Sequence, residues 1–366
     1  MLDLKRRRCT NPSPPSAIRL GLIGCGAIAR NSHIPAISKT PGLDLVAILD
    51  PYADLDTTSQ PGLPEAARPC RQQDAFYDTG LDAVAVTSPA PAHFENVMEA
   101  VQHGLPVLCE KPLAADPEEG VEMADAADAA GVSLHVGFCY RFSPVANTIH
   151  RLIRRGDVGE PRTLRLIYNW ACHGAAIDPE AENPRRFRNH ARRHGRMLEG
   201  GPMVDCGTHQ IDLARWWLGS DVQTVTGHGS WADQTADYDA PDHVWAHLNH
   251  DNGAHTAVEM SFSYGHTARD LPKEFVYEVI GTDGVIRYDR IRQVFERRDR
   301  NGTRPLAFGP EKGFAEMYGA WVRLIRDGTP DDRLCPGRDA ARVTELAWAA
   351  THQAMASRRS PLLPTT

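Results

Sequence analysis

The first 140 residues alternate between short, almost continuously apolar runs and longer stretches with helical periodicity. Two of the helical stretches, HFENVMEAVQHG and PEEGVEMADAADAAG, close on a glycine, as helices commonly do. Strands that are apolar along their whole length are buried on both faces, and strands separated by helices pair in parallel. The pattern therefore predicts a doubly wound parallel sheet of the Rossmann type. Its five predicted strands are 18–24, 43–50, 81–89, 105–112 and 132–138.

The junction between the first strand and the helix that follows it reads GCGAIA. Gly24 allows a tight turn, Gly26 lets the main chain approach a diphosphate, and Ala29 lets the helix pack closely on the sheet. The free N–H groups at the start of the helix attract phosphates. Such a turn can also serve packing alone. We expect dinucleotide contacts from the loop residues Gly24, Cys25, Gly26, Ala27 and Ile28.

The acidic residue at the end of the second strand indicates which dinucleotide is bound. Asp50 closes that strand. A carboxylate there accepts hydrogen bonds from the ribose hydroxyls and repels a 2′-phosphate. The sequence therefore predicts NAD as the cofactor and disfavours NADP. The alternative is a solvated aspartate beside a purely structural turn.

Composition excludes several other classes of protein. Of the 366 residues, 42% are hydrophobic and 24% are charged, and the net charge of −7 offers no basic surface for nucleic acid. No apolar segment reaches the length of a membrane span, and the basic start MLDLKRRRCT lacks the apolar core of a secretion signal after it. Eight scattered cysteines without C-x-x-C spacing indicate a reducing compartment. We expect a cytoplasmic protein with a disordered extension over 1–16.

The pattern changes near Tyr140, after which strands alternate between apolar and polar residues. Asn252-Gly253 and Asp283-Gly284 are hairpin signals between such strands. These features predict an NAD-binding domain over 17–139 and an α+β domain over 140–366 with a large, mostly antiparallel open sheet.

One face of this second sheet is predicted to be a subunit interface. In the strand 243–250, Val244, Ala246 and Leu248 point to one side, and the other side carries His243, Trp245, His247 and Asn249. A large aromatic residue on the open face favours a subunit contact there. Two late helices are expected to pack on the first domain or to cap the sheet.

The stretch GGPMVDCGTHQIDLARWW, residues 200–217, predicts a helix with three polar residues on one face. Asp205, His209 and Asp212 are spaced i, i+4 and i+7. A histidine exchanges protons near neutral pH, and a neighbouring carboxylate raises its basicity. The alternative is a carboxylate favoured by the helix N-terminus that satisfies a half-buried histidine. Asp212 is either a substrate contact or part of a structural salt bridge with Arg215 or a loop arginine.

A metal site is not expected. Alternation on a two-faced strand accounts for His243, His247 and His250. Asp205 and His209 could be joined by His190 or His194, but no spacing fixes a third ligand.

Four features occur in order along the chain: the GCGAIA loop, the acidic end of the second strand, Glu110-Lys111-Pro112 at the fourth strand, and Asp205 with His209 on a helix preceded by glycines. Together with the sheet-rich second half, they resemble the Gfo/Idh/MocA family of oxidoreductases over nearly the whole chain after residue 16. Family members are mostly NAD(P)-dependent dehydrogenases of sugars and polyols, paired as dimers or tetramers through the open sheet. The resemblance implies a homodimeric or homotetrameric NAD-dependent dehydrogenase that oxidises a secondary hydroxyl of a sugar, cyclic polyol or glycoside.

The resemblance also implies roles for individual residues. Oxidation of an alcohol requires a base for the hydroxyl proton and a cation beside the developing alkoxide. Lys111 would supply the cation, His209 would take the proton, and Asp205 would orient the imidazole or bind a substrate hydroxyl. The implied cofactor contacts are Thr87, Ser88, Pro89, His93, Glu110 and Lys111, and the implied substrate contacts are Lys111, Tyr140, Arg141, Trp170, His173, Asp205 and His209. Arginines between 185 and 196 either hold an anionic substituent of the substrate or meet acidic neighbours or a second subunit.

Two other functions remain open at this stage. The first is a lyase or glycosidase that oxidises a sugar carbon transiently and keeps its NAD bound. The second is a ligand sensor on the same fold without catalytic activity, against which the presence of Lys111, Asp205 and His209 argues.

Overall fold

The computed structural model describes residues 17–53, 55, 63–172, 190–232, 237–268, 272–310 and 312–358. The predicted extension over 1–16 and the predicted substrate contact His173 lie outside the described residues.

A seven-stranded sheet is formed by six strands of the N-terminal half and one short strand, β15, from near the end of the chain, and the predicted helices pack around it. Its spatial order is β15-β6-β5-β4-β1-β2-β3, parallel throughout except for β15 at one edge. The predicted parallel sheet is confirmed, and all five predicted strands belong to it. The short edge strands β3 and β15 have no apolar run of their own. The strands are β1 Ile18–Ile23, β2 Leu43–Leu49, β3 Arg68–Cys70, β4 Ala83–Val86, β5 Val107–Cys109, β6 Leu134–Val136 and β15 Cys335–Pro336.

The ends of the longest helix of this half are set by an N-cap residue, a proline in the first turn and a glycine at the C-terminus. The longest, α4, begins after Asp116, whose carboxylate accepts the N–H of Glu118, and it has Pro117 in its first turn. It ends at Gly131, which has a φ of 66°. The helix after the glycine loop starts as a π-turn, Ala29–His33, and continues as α1 Ile34–Ile37. The ranges of the remaining helices and of α4 are α2 Gln73–Tyr77, α3 His93–Gln102, α4 Pro117–Ala130 and α5 Pro144–Arg154.

The C-terminal half forms an eight-stranded sheet in the order β14-β13-β12-β11-β7-β10-β9-β8. Its pairs are antiparallel, except that β7 and β10 run parallel. Asn252-Gly253 lies in the turn between β9 and β10, and Asp283-Gly284 lies between β11 and β12, as predicted. The strands are β7 Pro161–Asn169, β8 Val222–Ser230, β9 His243–His250, β10 His255–Ser261, β11 Glu274–Gly281, β12 Gly284–Asp289, β13 Val294–Asp299 and β14 Gly302–Pro305.

Four helices and a π-turn complete this half and connect it to the first sheet. The last helix, α9, contacts β8 of the second sheet and α4 of the first half, so it fulfils both roles expected of the late helices. The Trp348 indole on α9 donates to the carbonyl oxygen of Ala115 over 2.9 Å. In the described part of the chain, no helix is both long enough and apolar enough to cross a membrane. The elements are α6 His190–Leu198, the π-turn Met203–Gly207, α7 Thr208–Leu218, α8 Phe314–Asp327 and α9 Gly337–Ser357.

The packing of α9 on β8 depends on a glycine. A Cβ atom at Gly227 would lie 1.8 Å from the carbonyl oxygen of Ala350 on α9. We expect Gly227→Ala to lower the free energy of unfolding by about 3 kcal/mol, because helix and strand must separate to admit the methyl group. Thr226→Ala, at the exposed neighbouring position, is the control and should change it by less than about 0.5 kcal/mol. Equal denaturation midpoints for the two variants would contradict this packing argument.

Candidate active site

The glycine loop at the carboxyl end of β1 is packed against the turn that follows β4. Gly24 has a φ of +87°, and a Cβ atom there would lie 2.5 Å from the main chain of Ser88. The Thr87 hydroxyl donates to the carbonyl oxygen of Gly24 over 2.6 Å. Only glycine fits at this position, because both the conformation and the close approach exclude a side chain.

The outer side of the same loop is open. Gly26 and Ala27 are exposed, whereas Ala29 is fully buried against the sheet. A Cβ atom at Gly26 would meet no atom within 4 Å. The first N–H groups of a helix have no partners within the helix and attract phosphate oxygens. This loop therefore fits a dinucleotide diphosphate, for which it leaves room beside its main chain.

Asp50 lies next to this loop, and its carboxylate orders it. One carboxylate oxygen accepts the N–H of Cys25 over 2.7 Å, and the other accepts the N–H groups of Tyr52 and Ala53. Burial alone would raise the pKa of Asp50, but these N–H groups outweigh it and the pKa lies below its usual range. Asp50 is thus a fixed negative charge at the position from which it would exclude a 2′-phosphate. Its contact with a ribose stays a prediction.

Three of the residues expected to contact the cofactor lie beneath the loops, where their polar atoms make hydrogen bonds within the protein. The hydroxyl of Thr87 is buried against the glycine loop. The ring nitrogens of His93 face main-chain carbonyl oxygens, and the carboxylate of Glu110 contacts a histidine and a main-chain N–H group. These contacts connect the loops to one another. A direct bond from Thr87, His93 or Glu110 to a cofactor is therefore not part of our proposal.

The remaining loop residues are closer to the open side. Pro89 is exposed, and the half-exposed Ser88 accepts a hydrogen bond from the Asn96 amide at its hydroxyl over 2.9 Å. Ile28 is half-buried and Cys25 is buried, so Cys25 could reach a cofactor only through its main chain.

Lys111 connects the two halves of the molecule. Its ammonium group donates to both the main-chain oxygen (2.7 Å) and the carboxylate (2.8 Å) of Asp205. Burial by itself would lower the pKa of Lys111, but the negative charge of Asp205 outweighs it and the pKa is raised. Lys111 therefore stays a cation at the carboxyl edge of the first sheet, directly against the segment that leads into α7.

Asp205 is bound by a second cation that the sequence analysis did not single out. Arg196 on α6 contacts the carboxylate oxygen of Asp205 that Lys111 does not use. Burial would raise the pKa of Asp205, but Lys111 and Arg196 outweigh it and hold the pKa well below its usual range. Arg196 belongs to the arginine-rich segment 185–196, for which an acidic neighbour was one of the expected alternatives. Composition alone could not show which of these arginines reaches Asp205.

Among the described residues, no hydrogen bond or ion pair joins His209 to Asp205, in contrast to the expected acid–imidazole pair. Both oxygens of Asp205 are taken by Lys111 and Arg196. The ring of His209 stacks on Tyr140 instead, at 4.3 Å between ring centroids, and Phe138 meets it edge-on. Its Nδ1 atom is buried and has no hydrogen-bond partner among the described residues. The nitrogen left to face a substrate is therefore Nε2.

This environment keeps the imidazole of His209 uncharged. Burial lowers its pKa most, and the positive charges of Lys111 and Lys312 lower it further, well below the usual histidine value. Asp205 does raise the pKa of His209, as expected, but burial and the charges of Lys111 and Lys312 outweigh it.

Aromatic residues line the same region. Tyr140 is buried beneath His209, and the ammonium of the exposed Lys312 lies 6.0 Å from its ring centroid. Trp170, half-buried, stacks in parallel with Tyr168 at 5.7 Å. Lys312 follows no motif in the sequence, since only the fold brings the segment before α8 to this position.

Arg141 has a different environment from its neighbour Tyr140. Its guanidinium makes two hydrogen bonds to Asp212, of 2.9 and 2.7 Å, and both side chains are buried. It borders a surface depression shared with Trp216 and Arg215 whose lining includes neither Lys111 nor His209. We therefore assign Arg141 and Asp212 to a structural salt bridge and not to substrate binding.

The histidines considered for metal binding have other neighbours. His243 contacts the Glu259 carboxylate at 3.1 Å, His250 contacts the Thr256 hydroxyl at 2.9 Å, and His194 contacts the Tyr238 hydroxyl at 3.0 Å. Among the residues that the structure describes, no three His, Cys, Asp or Glu side chains converge as metal ligands would.

Comparison with known proteins adds to this geometry. Residues 18–138 match the family described as "Oxidoreductase family, NAD-binding Rossmann fold", and residues 146–287 match the GFO/IDH/MocA C-terminal domain. This chain belongs to the Gfo/Idh/MocA family. It is accordingly an oxidoreductase with an NAD-binding Rossmann domain.

Several relatives are similar over most of the chain. The chain is 29% identical to scyllo-inositol 2-dehydrogenase (NAD(+)) of Bacillus subtilis, over 74% of this chain and 73% of that protein. It is 27% identical to D-apiose dehydrogenase of Paraburkholderia graminis, over 90% of this chain and 85% of that protein. An oxidoreductase domain protein from Kribbella flavida has the same fold, with a TM-score of 0.77 at 21% identity, over 94% of this chain and 98% of that one.

The open space at Gly26 leads to a prediction about cofactor affinity. In Gly26→Ala the new methyl group meets no protein atom, so the variant should fold as the wild type does. It would occupy the space through which the diphosphate approaches, and we expect NAD affinity to fall at least about tenfold. Calorimetric titration with NAD, beside thermal unfolding, measures both. Gly319→Ala on α8, where a Cβ atom makes ordinary contact only, is the control. Unchanged NAD affinity in Gly26→Ala would show that no diphosphate binds at this loop.

Proposed function

We propose that the protein is an NAD-dependent dehydrogenase that oxidises a secondary hydroxyl of a sugar, cyclic polyol or glycoside. The observation that carries this proposal is the contact of the Lys111 ammonium with Asp205, beside His209 and at the sheet edge where the open glycine loop lies. The two named relatives, an NAD(+)-dependent inositol dehydrogenase and an apiose dehydrogenase, support this class of substrate.

Lys111, His209 and Tyr140 have different roles in the proposed oxidation of the alcohol. NAD, when bound, supplies the hydride acceptor. Lys111 has three N–H donors, of which two are used by Asp205, so one is left for the reacting oxygen. Its charge stabilises the alkoxide character that develops as the hydride leaves. His209, uncharged, accepts the hydroxyl proton at Nε2, while Tyr140 holds its ring in place by stacking.

We also propose that two copies of the chain pair through the open face of the second sheet. Val276, Ile167, Glu259 and Trp245 lie opposite one another on β11, β7, β10 and β9, and all four are half-exposed. Such a row of mainly apolar groups is suited to an identical surface related by a twofold axis. Sedimentation of the wild type should show a dimer or a tetramer.

The proposal also includes a domain boundary and a cellular compartment. The boundary between the cofactor domain and the second domain is placed near residue 140, before α5. The seven described cysteines are all free thiols, which supports a reducing compartment such as the cytoplasm.

Replacement of Lys111 tests the role of its charge. Lys111→Met keeps an unbranched chain of similar length and removes the cation. We expect kcat to fall about 10²–10³-fold, since one charged donor to the alkoxide is lost. The dissociation constant for NAD should change less than about threefold, because the glycine loop and Asp50 remain. Reduced-nicotinamide absorbance measures the first quantity, and calorimetry the second. A wild-type rate in this variant would exclude Lys111 from the chemistry.

The pH dependence tests the role of His209. A base with a depressed pKa is already unprotonated above that pKa, and activity is lost only as the pH falls through it. We therefore expect kcat/KM to show no loss between pH 8 and pH 6, in contrast to a base with the usual histidine pKa of about 6.5. A steep decline centred near pH 6.5 would contradict the uncharged, desolvated imidazole.

The overall reaction is tested by a screen of inositols, sugars and glycosides with NAD and with NADP. Net NADH formation with NAD supports the proposal. A product that appears without net NADH, together with cofactor released on heating the pure protein, would identify transient oxidation as in a lyase. Binding without turnover of any compound would identify a sensor.

A further inference from the structure

Two buried histidines hold the main chain on either side of Lys111. His33 ends the π-turn that starts at the glycine loop, and His93 is the first residue of α3, directly after the turn that carries Thr87. Both have an exposed fraction of 1%. The ring nitrogens of both contact groups inside the protein, and neither residue is part of the catalytic set proposed above.

His33 connects to Lys111 through Glu110. Its Nε2 atom lies 2.8 Å from one carboxylate oxygen of Glu110, and its Nδ1 atom lies 2.7 Å from the hydroxyl of Tyr318 on α8. The second oxygen of Glu110 accepts the N–H of Lys111 over 3.0 Å. A neutral imidazole at His33 can make both hydrogen bonds, if Tyr318 donates to Nδ1 and Nε2 donates to Glu110. Tyr318 is fully buried, so this series of hydrogen bonds ends in the protein interior. It fixes the position of the Lys111 main chain and does not conduct a proton to water.

His93 holds the other side of Lys111. Its Nδ1 atom lies 2.9 Å from the carbonyl oxygen of Pro112 and 3.2 Å from that of Leu113. Its Nε2 atom lies 2.8 Å from the carbonyl oxygen of Ser88, in the turn that packs on Gly24. The ring of His93 thus lies between the segment after Lys111 and the turn that carries Ser88. As a neutral imidazole it donates its single N–H to one of these segments and packs against the other.

We propose that His33 and His93 are positioning residues for hydride transfer: they tie the main chain of Lys111 to the two loops that would bind NAD. This inference rests on the proposed function. A lysine side chain has four rotatable bonds, so its ammonium can reach the reacting oxygen reproducibly only if its main chain is fixed relative to the cofactor. Each histidine fixes one side of that main chain to one loop.

The test separates positioning from simple stabilisation. His33→Leu and His93→Leu should each lower kcat about 10-fold to 100-fold, as expected for a small displacement of a catalytic group. The dissociation constant for NAD should stay within about threefold, because neither ring points into the open loop. His33→Gln keeps a donor that can reach Glu110 and should recover most of the lost kcat, and Tyr318→Phe should cause a smaller loss than His33→Leu.

His250→Leu is the matched control. His250 is equally enclosed, with an exposed fraction of 3%, and also contacts a hydroxyl and a main-chain carbonyl oxygen, but it lies on β9 in the second sheet. It should lower the melting temperature as the other two do and leave kcat unchanged. A loss of kcat in all three variants in proportion to their loss of stability would overturn the proposal, as would normal kcat in His33→Leu and His93→Leu.

A measurement without turnover keeps this inference separate from the proposed function. An amine-reactive acyl ester labels Lys111 at a rate that can be measured on the full-length protein. After labelling, the protein is digested, and mass spectrometry of the peptide that contains Lys111 gives the extent of reaction. His33→Leu and His93→Leu should raise this rate several-fold at constant pH, and His250→Leu should not. If the wild type oxidises no compound in the screen, the proposed function fails while this labelling difference still supports the positioning role. Equal labelling rates in all four proteins would overturn it.

Discussion

The contact between Lys111 and Asp205 is the interaction on which the rest of the site depends. It joins the carboxyl edge of the parallel sheet to the segment that begins α7, and so it sets where the two halves meet. Removing both charges from water is costly, and a buried pair persists only when its remaining hydrogen-bonding capacity is used. Here the main-chain oxygen of Asp205 takes a second donor from Lys111, and Arg196 takes the other carboxylate oxygen.

This arrangement also explains the electrostatics of the proposed reaction. Two cations share one carboxylate, so positive charge is present before any alkoxide forms, and no large rearrangement is needed to provide it. Burial lowers the pKa of His209 most, and the charges of Lys111 and Lys312 lower it further. The neutral imidazole stacked on Tyr140 is thus mainly a consequence of its burial.

Much of the fold could be predicted from local patterns. Solid apolar strands between helices indicated the parallel sheet, and Asn252-Gly253 and Asp283-Gly284 indicated hairpins, because each pattern reports on burial or on turn geometry a few residues away. The strands β3 and β15 could not be predicted, since Arg68–Cys70 and Cys335–Pro336 have too few residues to show a period. Their place is set by the edges of a sheet that is already formed. The family resemblance predicted that Lys111, Asp205 and His209 act in one reaction, but it predicted neither the ion pair between Lys111 and Asp205 nor the stacking of His209 on Tyr140.

What the sequence by itself determined is the set of short-range features: the glycine turn and the helix after it, the acid at the end of β2, and the helix that carries His209. These depend on neighbours within a few positions, where backbone conformation and periodicity decide the outcome. Only the tertiary structure decided which residues pair with the charged and polar side chains of the site. It brought Arg196 and Lys312 to the site, paired Arg141 with Asp212, and turned the ring nitrogens of His33 and His93 toward the chain around Lys111. Such contacts join residues far apart in the chain, and their energies depend on burial and distance, which no local pattern contains.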